Sequence, residues 1–124
     1  MQWTFRDDVP IYLQLIDQMR LKIISGDYPP GYRLPGVREL AADAGINPNT
    51  VQRAMTELER MGLVYSQRAS GRNVTEDTAV IQSARRELAA AHVRNFLKTM
   101  NELGFTAEEA AEMLSGKDEN NVCT

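Results

Sequence analysis

Cysteine is nearly absent from this 124-residue chain. Cys123 is the single one, so neither a disulfide framework nor a thiolate cluster for zinc is available. His92 is the single histidine, which excludes a metal site built from several imidazoles. No apolar run approaches the roughly 20 residues of a membrane span, and Met1-Gln-Trp-Thr-Phe-Arg-Asp-Asp lacks a signal peptide's apolar stretch. Also missing are a phosphate-cradling glycine loop, a Ser/His/Asp set and a carboxylate pair placed for acid–base work. The chain is therefore expected not to be an enzyme, to need no cofactor, to have no membrane partner and to work in a reducing cytoplasm.

What is present suits a soluble domain with one core: 43% of residues are hydrophobic and 25% charged. The net charge of −3 counts mildly against nucleic acid, but it is unevenly spread. Residues 1–75 hold nine Lys/Arg against eight Asp/Glu, and residues 76–124 hold five against nine. Between positions 33 and 72 every basic residue is arginine: Arg33, Arg38, Arg53, Arg60, Arg68 and Arg72. Arginine is the side chain suited to bidentate contacts with phosphate and guanine, although a solvated surface would also display it.

Apolar residues Ile11, Leu15, Met19 and Ile23 recur at helical spacing, predicting a helix over 9–25 that Asp7 and Asp8 open and Gly26 closes. Asp27-Tyr-Pro-Pro-Gly31 is a turn, and Tyr32-Arg-Leu34 a short extended piece. A short helix over 37–44 ends at Gly45, and Asn47-Pro48 restarts one that runs to about Met61, with Val51, Ala54, Met55 and Leu58 inward. Residues 63–65 and 72–74 read as two strands around a polar tip, 66–71. A long helix over 78–103 carries two apolar stripes, one through Ile81 and Leu88, the other through Val93, Phe96, Met100 and Leu103. Two stripes mean burial on more than one side. Thr106 caps a last helix over 107–114, and 117–124 is expected to fray as a disordered tail.

Ala41, Gly45 and Val51 have the spacing of a helix-turn-helix: a small residue where helices cross, a glycine in the tight turn, an apolar residue holding the second helix on the first. The second helix then offers Asn47, Asn49, Thr50, Gln52 and Arg53 to a major groove, and the hairpin with Arg68 and Arg72 has the makings of a wing. Backbone N–H groups in the first turn of that helix are expected to face phosphate as well.

Several segments together resemble the winged-helix domain of GntR-family bacterial transcription regulators. They are Pro10-Ile-Tyr-Leu-Gln14, Pro30-Gly-Tyr-Arg-Leu-Pro35, Val37-Arg-Glu-Leu-Ala41, Asn47-Pro-Asn-Thr-Val51 and Glu57-Leu-Glu-Arg-Met-Gly-Leu63. The short remainder is similar to the tail of the small YtrA-type subfamily. The resemblance implies a mainly α fold with a small β-wing: a winged-helix DNA-binding domain over 1–75, then two dimerisation helices over 76–116. It implies DNA contacts from Arg33, Arg38, Asn49, Thr50, Gln52, Arg53, Arg68, Ser70 and Gly71. The partners it implies are an operator duplex and a second copy, with an effector open, and the regulated genes are often a neighbouring transporter operon. Two departures stand out. Gly36 replaces the usual serine that would form a capping box with Glu39, and Pro48 occupies a position where some relatives carry a basic, base-reading residue.

The two stripes assign a dimer interface to Ile81, Leu88, Val93, Phe96, Met100 and Leu103, one monomer having no other use for both. The remaining features have plainer readings. The six methionines serve as core and interface filler, and Glu108, Glu109 and Glu112 as a solvated face. His92 is expected at the surface or an interface, and Cys123 to be inert. Trp3 and Phe5 are expected to pack on the first helix or on a partner chain. The functional expectation is a sequence-specific, homodimeric transcription regulator, most simply a repressor on a pseudo-palindromic operator. Its rival is a winged helix whose arginine surface meets an acidic protein. A small-molecule site in the tail would have room only at the dimer interface.

Overall fold

The computed structural model describes residues 3–68 and 71–116. Its elements run α1 (Ile11–Ser25), α2 (Val37–Ala44), α3 (Pro48–Arg60), β1 (Val64–Gln67), β2 (Gly71–Val74), α4 (Thr78–Glu102) and α5 (Ala107–Leu114). The predicted fold class, mainly helical with one small wing, is the observed one. No helix among the described residues is long and apolar enough to cross a membrane. The chain divides into two compact units, residues 1–85 and 86–124, and the tail expected over 117–124 lies outside the described residues.

In the first unit, α1 begins two residues later than predicted. Pro10 pushes its predecessor out of helical conformation and itself stands at the N-cap, so Asp7 and Asp8 lie farther from the first turn than predicted. Gln14 holds this lead segment: its Oε1 accepts from the Arg6 N–H at 2.7 Å, and its Nε2 donates to the carbonyls of Val9 at 2.7 Å and Arg6 at 2.8 Å. Farther out, Trp3 and Phe5 pack against the unit's own core, and Trp3 Nε1 donates to Asp43 Oδ2 at 3.1 Å.

The core lies where α1, α2 and α3 meet. Leu15, Met19, Leu40, Val51, Met55 and Leu58 are each at most 1% exposed. Burial of this order stabilises by roughly 1.5–3 kcal/mol per large side chain, and it is what clamps α3 in one orientation. Gly45, at φ 71°, makes the left-handed turn that the α2–α3 corner needs.

Strands β1 and β2 pair antiparallel from Val64 opposite Val74 to Gln67 opposite Gly71, so the hairpin reaches closer to its tip than predicted. Ladder bonds need no apolar side chain, and the polar Ser66 and Gln67 therefore pair as readily as their neighbours. The extended piece 32–34 flanks the free edge of β2. Leu34 N–H donates to Arg72 O and Val74 N–H to Tyr32 O, both at 2.9 Å, around an Arg33–Asn73 bridge. Tyr28 and Tyr32 stack beneath with centroids 5.1 Å apart, and burial above all pushes the Tyr28 hydroxyl up to about 12.

This unit runs to residue 85, ten past the predicted domain end, because the first turns of α4 belong to its core: Ile81 is 8% exposed, with Val80 and Ala84 packed beside it. The Ile81 side chain, assigned from sequence to a dimer interface, packs in the core of its own unit.

In the second unit the turn after α4 is closed by Phe105 N–H donating to Met100 O at 2.9 Å. Thr106 caps α5 reciprocally with Glu109: Glu109 N–H donates to Thr106 Oγ1 at 3.1 Å, and Thr106 N–H to Glu109 Oε1 at 2.9 Å. Ala110 is fully buried, whereas Val93, Phe96, Leu103 and Leu114 are exposed.

Candidate nucleic-acid interface

Helix α3 presents its polar side because its apolar side is anchored. Val51, Ala54, Met55 and Leu58 point into the core, and this leaves Asn49, Gln52 and Arg53 exposed with Thr50 half-buried. Asn47 opens the helix. Its Oδ1 accepts from the Asn49 N–H at 2.8 Å, and its carbonyl accepts from Thr50 N–H at 3.0 Å, while Pro48 has no N–H to give. The first-turn N–H groups expected to face phosphate are therefore engaged locally. What this helix offers a ligand is side chains, not an open backbone terminus.

Arg38 sits exposed in the first turn of α2, and Gly36 before it makes no side-chain cap. Arg33 is exposed on the extended piece beside β2, and Arg68 is exposed at the end of β1. Gly71, at φ 79°, starts β2 opposite Gln67. Ser70, the remaining wing residue assigned from sequence, lies outside the described residues.

The arginines do not act alike. Arg60 binds Glu57 through its Nε at 2.9 Å and its Nη2 at 2.8 Å. Arg72, read from sequence as a wing cation, is tied to Glu59 at 2.5 Å and is largely enclosed. Ser66 donates to the same carboxylate at 3.0 Å, and these bonds, Arg72's above all, hold Glu59 below its ordinary range. Arg72 is a strut between wing and helix, not a free charge. Among the described residues Arg33, Arg38, Arg53 and Arg68 have no carboxylate partner.

Arg53 instead lies over the ring of Tyr12, with Cζ 3.6 Å from the ring centroid. Sequence reasoning missed Tyr12 because nothing local marks it: the residue sits beside the buried stripe of α1, and its role depends on which turn of α3 packs across from it. Glu59 escaped for the same reason.

The profile described as "Bacterial regulatory proteins, gntR family" matches residues 11–74, the segment from the start of α1 to the end of β2. The "Uncharacterized HTH-type transcriptional regulator YhcF" of Bacillus subtilis is 38% identical over 108 residues, covering 87% of this chain and 89% of that one. A "GntR family transcriptional regulator from Listeria monocytogenes" superposes with a TM-score of 0.84 at 36% identity, over 93% of this chain and 100% of its own. The DNA-binding domain of AraR, solved in complex with its operator ORX1, gives a TM-score of 0.52 at 26% identity over 60% of this chain and 92% of that one. The similarity to the first two extends through the short helical tail. The helix-turn-helix, the wing and these likenesses together make this chain a member of the GntR family of bacterial regulatory proteins, DNA-binding regulators of transcription.

Proposed function

We propose that the chain is a homodimeric repressor that reads a pseudo-palindromic operator, with Asn49, Thr50, Gln52 and Arg53 in the major groove. Arg33 and Arg38 bind phosphates alongside, and the wing tip, Arg68 through Gly71, reaches the backbone or minor groove. The observation that carries this reading is the contrast among the arginines. Arg60 and Arg72 are paired with carboxylates, whereas Arg33, Arg38 and Arg68 are exposed and have no carboxylate partner among the described residues. The operator complex of AraR supports the assignment of this surface to DNA.

Dimerisation follows from uncovered apolar surface on the second unit. Val93 is 55% exposed, Phe96 38% and Leu103 67%, and Leu88 and Met100 are half-buried on the same helix. A second copy would cover them and set the separation of two recognition helices at about one DNA turn, ~34 Å, or a multiple of it. Repression needs nothing beyond occupancy of the operator. An effector would act by changing the angle between the two winged domains. The resemblance points to the neighbouring operon, a transporter operon in related regulators, as the place to seek the operator.

The test is fluorescence anisotropy with duplex from the protein's own promoter beside a scrambled duplex, at several salt concentrations. Promoter preference with a log–log salt slope of roughly −0.9 per phosphate contact supports the reading. Weak binding to both duplexes with a shallow salt dependence turns the arginine face over to an acidic protein partner.

A further inference from the structure

Arg53 and Tyr12 face each other across the seam between α3 and α1. At 3.6 Å from Cζ to centroid the guanidinium is in van der Waals contact with the ring face, a distance that favours a flat stack over an upright one. A flat stack uses the π-face of the cation and none of its N–H donors, which radiate from the rim of the plane. Arg60 and Arg72 differ in this respect, because each binds a carboxylate through its donors. The acid nearest Arg53 along its own helix face, Glu57, is hydrogen-bonded to Arg60. Arg53 itself is exposed. Arg53 borders a cleft of about 740 Å³, lined by Tyr12, Ile16, Asp17, Thr56, Glu57 and Met61 among others, and its charge also helps lower the Glu57 carboxyl, without an ion pair between the two. An arginine at the edge of such a space would sample many rotamers, and the ring of Tyr12 is the close contact that the structure shows for its guanidinium.

From this geometry we propose that Tyr12 is the positioning residue of Arg53. The ring fixes the plane of the guanidinium before DNA arrives, leaving its bidentate edge free for a phosphate or a guanine. The inference rests on the proposed role of Arg53 at the DNA surface and deepens it. Ordering this long side chain in the free protein removes an entropy cost from the binding step, and Tyr12 thereby contributes to affinity without touching the duplex.

The experiment is a double-mutant cycle on promoter-duplex affinity, with the melting temperature of every variant measured alongside. Tyr12→Leu is expected to weaken binding on the order of three- to tenfold, the range of a cation–π contact at a partly exposed site. Tyr12→Phe, which keeps the ring, should stay within about twofold. In an Arg53→Ala background Tyr12→Leu should cause no further loss. Equal weakening in both backgrounds would overturn the proposal, because Tyr12 would then only hold α1 against α3. A loss with Arg53→Ala but none with Tyr12→Leu would overturn it too, while leaving Arg53 at the DNA. No loss with Arg53→Ala would remove Arg53 from the interface, and the positioning role with it. Tyr12→Met, which fills similar space without a ring, replaces Tyr12→Leu in the cycle if the leucine variant does not fold.

Discussion

Arg72 on β2 donates its Nε–H to Oε1 of Glu59 on α3 at 2.5 Å, and the Ser66 hydroxyl on β1 donates to the same oxygen at 3.0 Å. One carboxylate thus ties both strands of the wing to the recognition helix. The orientation of the wing relative to the reading surface depends on it.

Glu59→Gln should destabilise the protein by about 1 kcal/mol at neutral pH, a figure reduced for the partial exposure of the pair. The Arg72 hydrogen bond, the largest cause, holds Glu59 below its ordinary value of 4.5. A depressed carboxylate contributes stability that is complete above the unfolded-state value and is lost as pH falls through the lowered folded value. Melting curves from pH 7 downward should therefore show the gap between wild type and variant closing below about pH 4.5. A gap constant with pH would contradict this role for the bond.

Arg33→Ala and Arg38→Ala should each weaken operator binding and reduce the log–log salt slope by roughly one contact, about 0.9, with the melting temperature within a degree or so of wild type. Neither guanidinium is paired within the described fold, so its loss costs little stability. Unchanged affinity and slope in both variants would move the DNA surface elsewhere.

Gly36→Ser should raise the melting temperature by about 2 °C, corresponding to a few tenths of a kcal/mol. Residue 36 is extended at the start of α2, a Cβ there meets nothing within 4 Å, and Glu39 occupies the third helical position that a capping box requires. Differential scanning fluorimetry decides it. A lower melting temperature would show that the corner cannot accept the hydroxyl.

If the proposed dimer forms through α4, Phe96→Asp should convert it to monomer in sedimentation velocity while the winged unit keeps its cooperative melt. Residue 96 is exposed on α4, within the second unit, and outside the core of the first. Affinity for a two-half-site duplex should fall while that for a single half-site holds. A variant that still sediments as a dimer would place the interface on another face.

The local architecture was legible because it depends on neighbours in sequence. Gly26 and Gly45 stop α1 and α2 in the left-handed conformation that their missing side chains permit. Asn47 and Pro48 start α3, and Thr106 starts α5, through bonds that span three residues or fewer. The inward faces of α1 and α3 followed from helical spacing, and the polar start of α3 from the residues left over.

Which side chains meet across the fold was decided only by packing. Tyr12 lies under Arg53 and Arg33 beside Asn73 because α1 docks on α3 and the extended piece docks on β2. Ile81 passes from a supposed interface to the core because the first turns of α4 close over the winged unit. The same arginine-rich composition yields a strut at Arg72, tied to Glu59 on another element, and unpaired guanidinium groups at Arg33 and Arg38 among the described residues. Helix periods and caps are short-range and written in order along the chain. Whether a charge such as that of Arg72 is paired depends on distances between segments well separated in sequence, which are defined only once the core has formed.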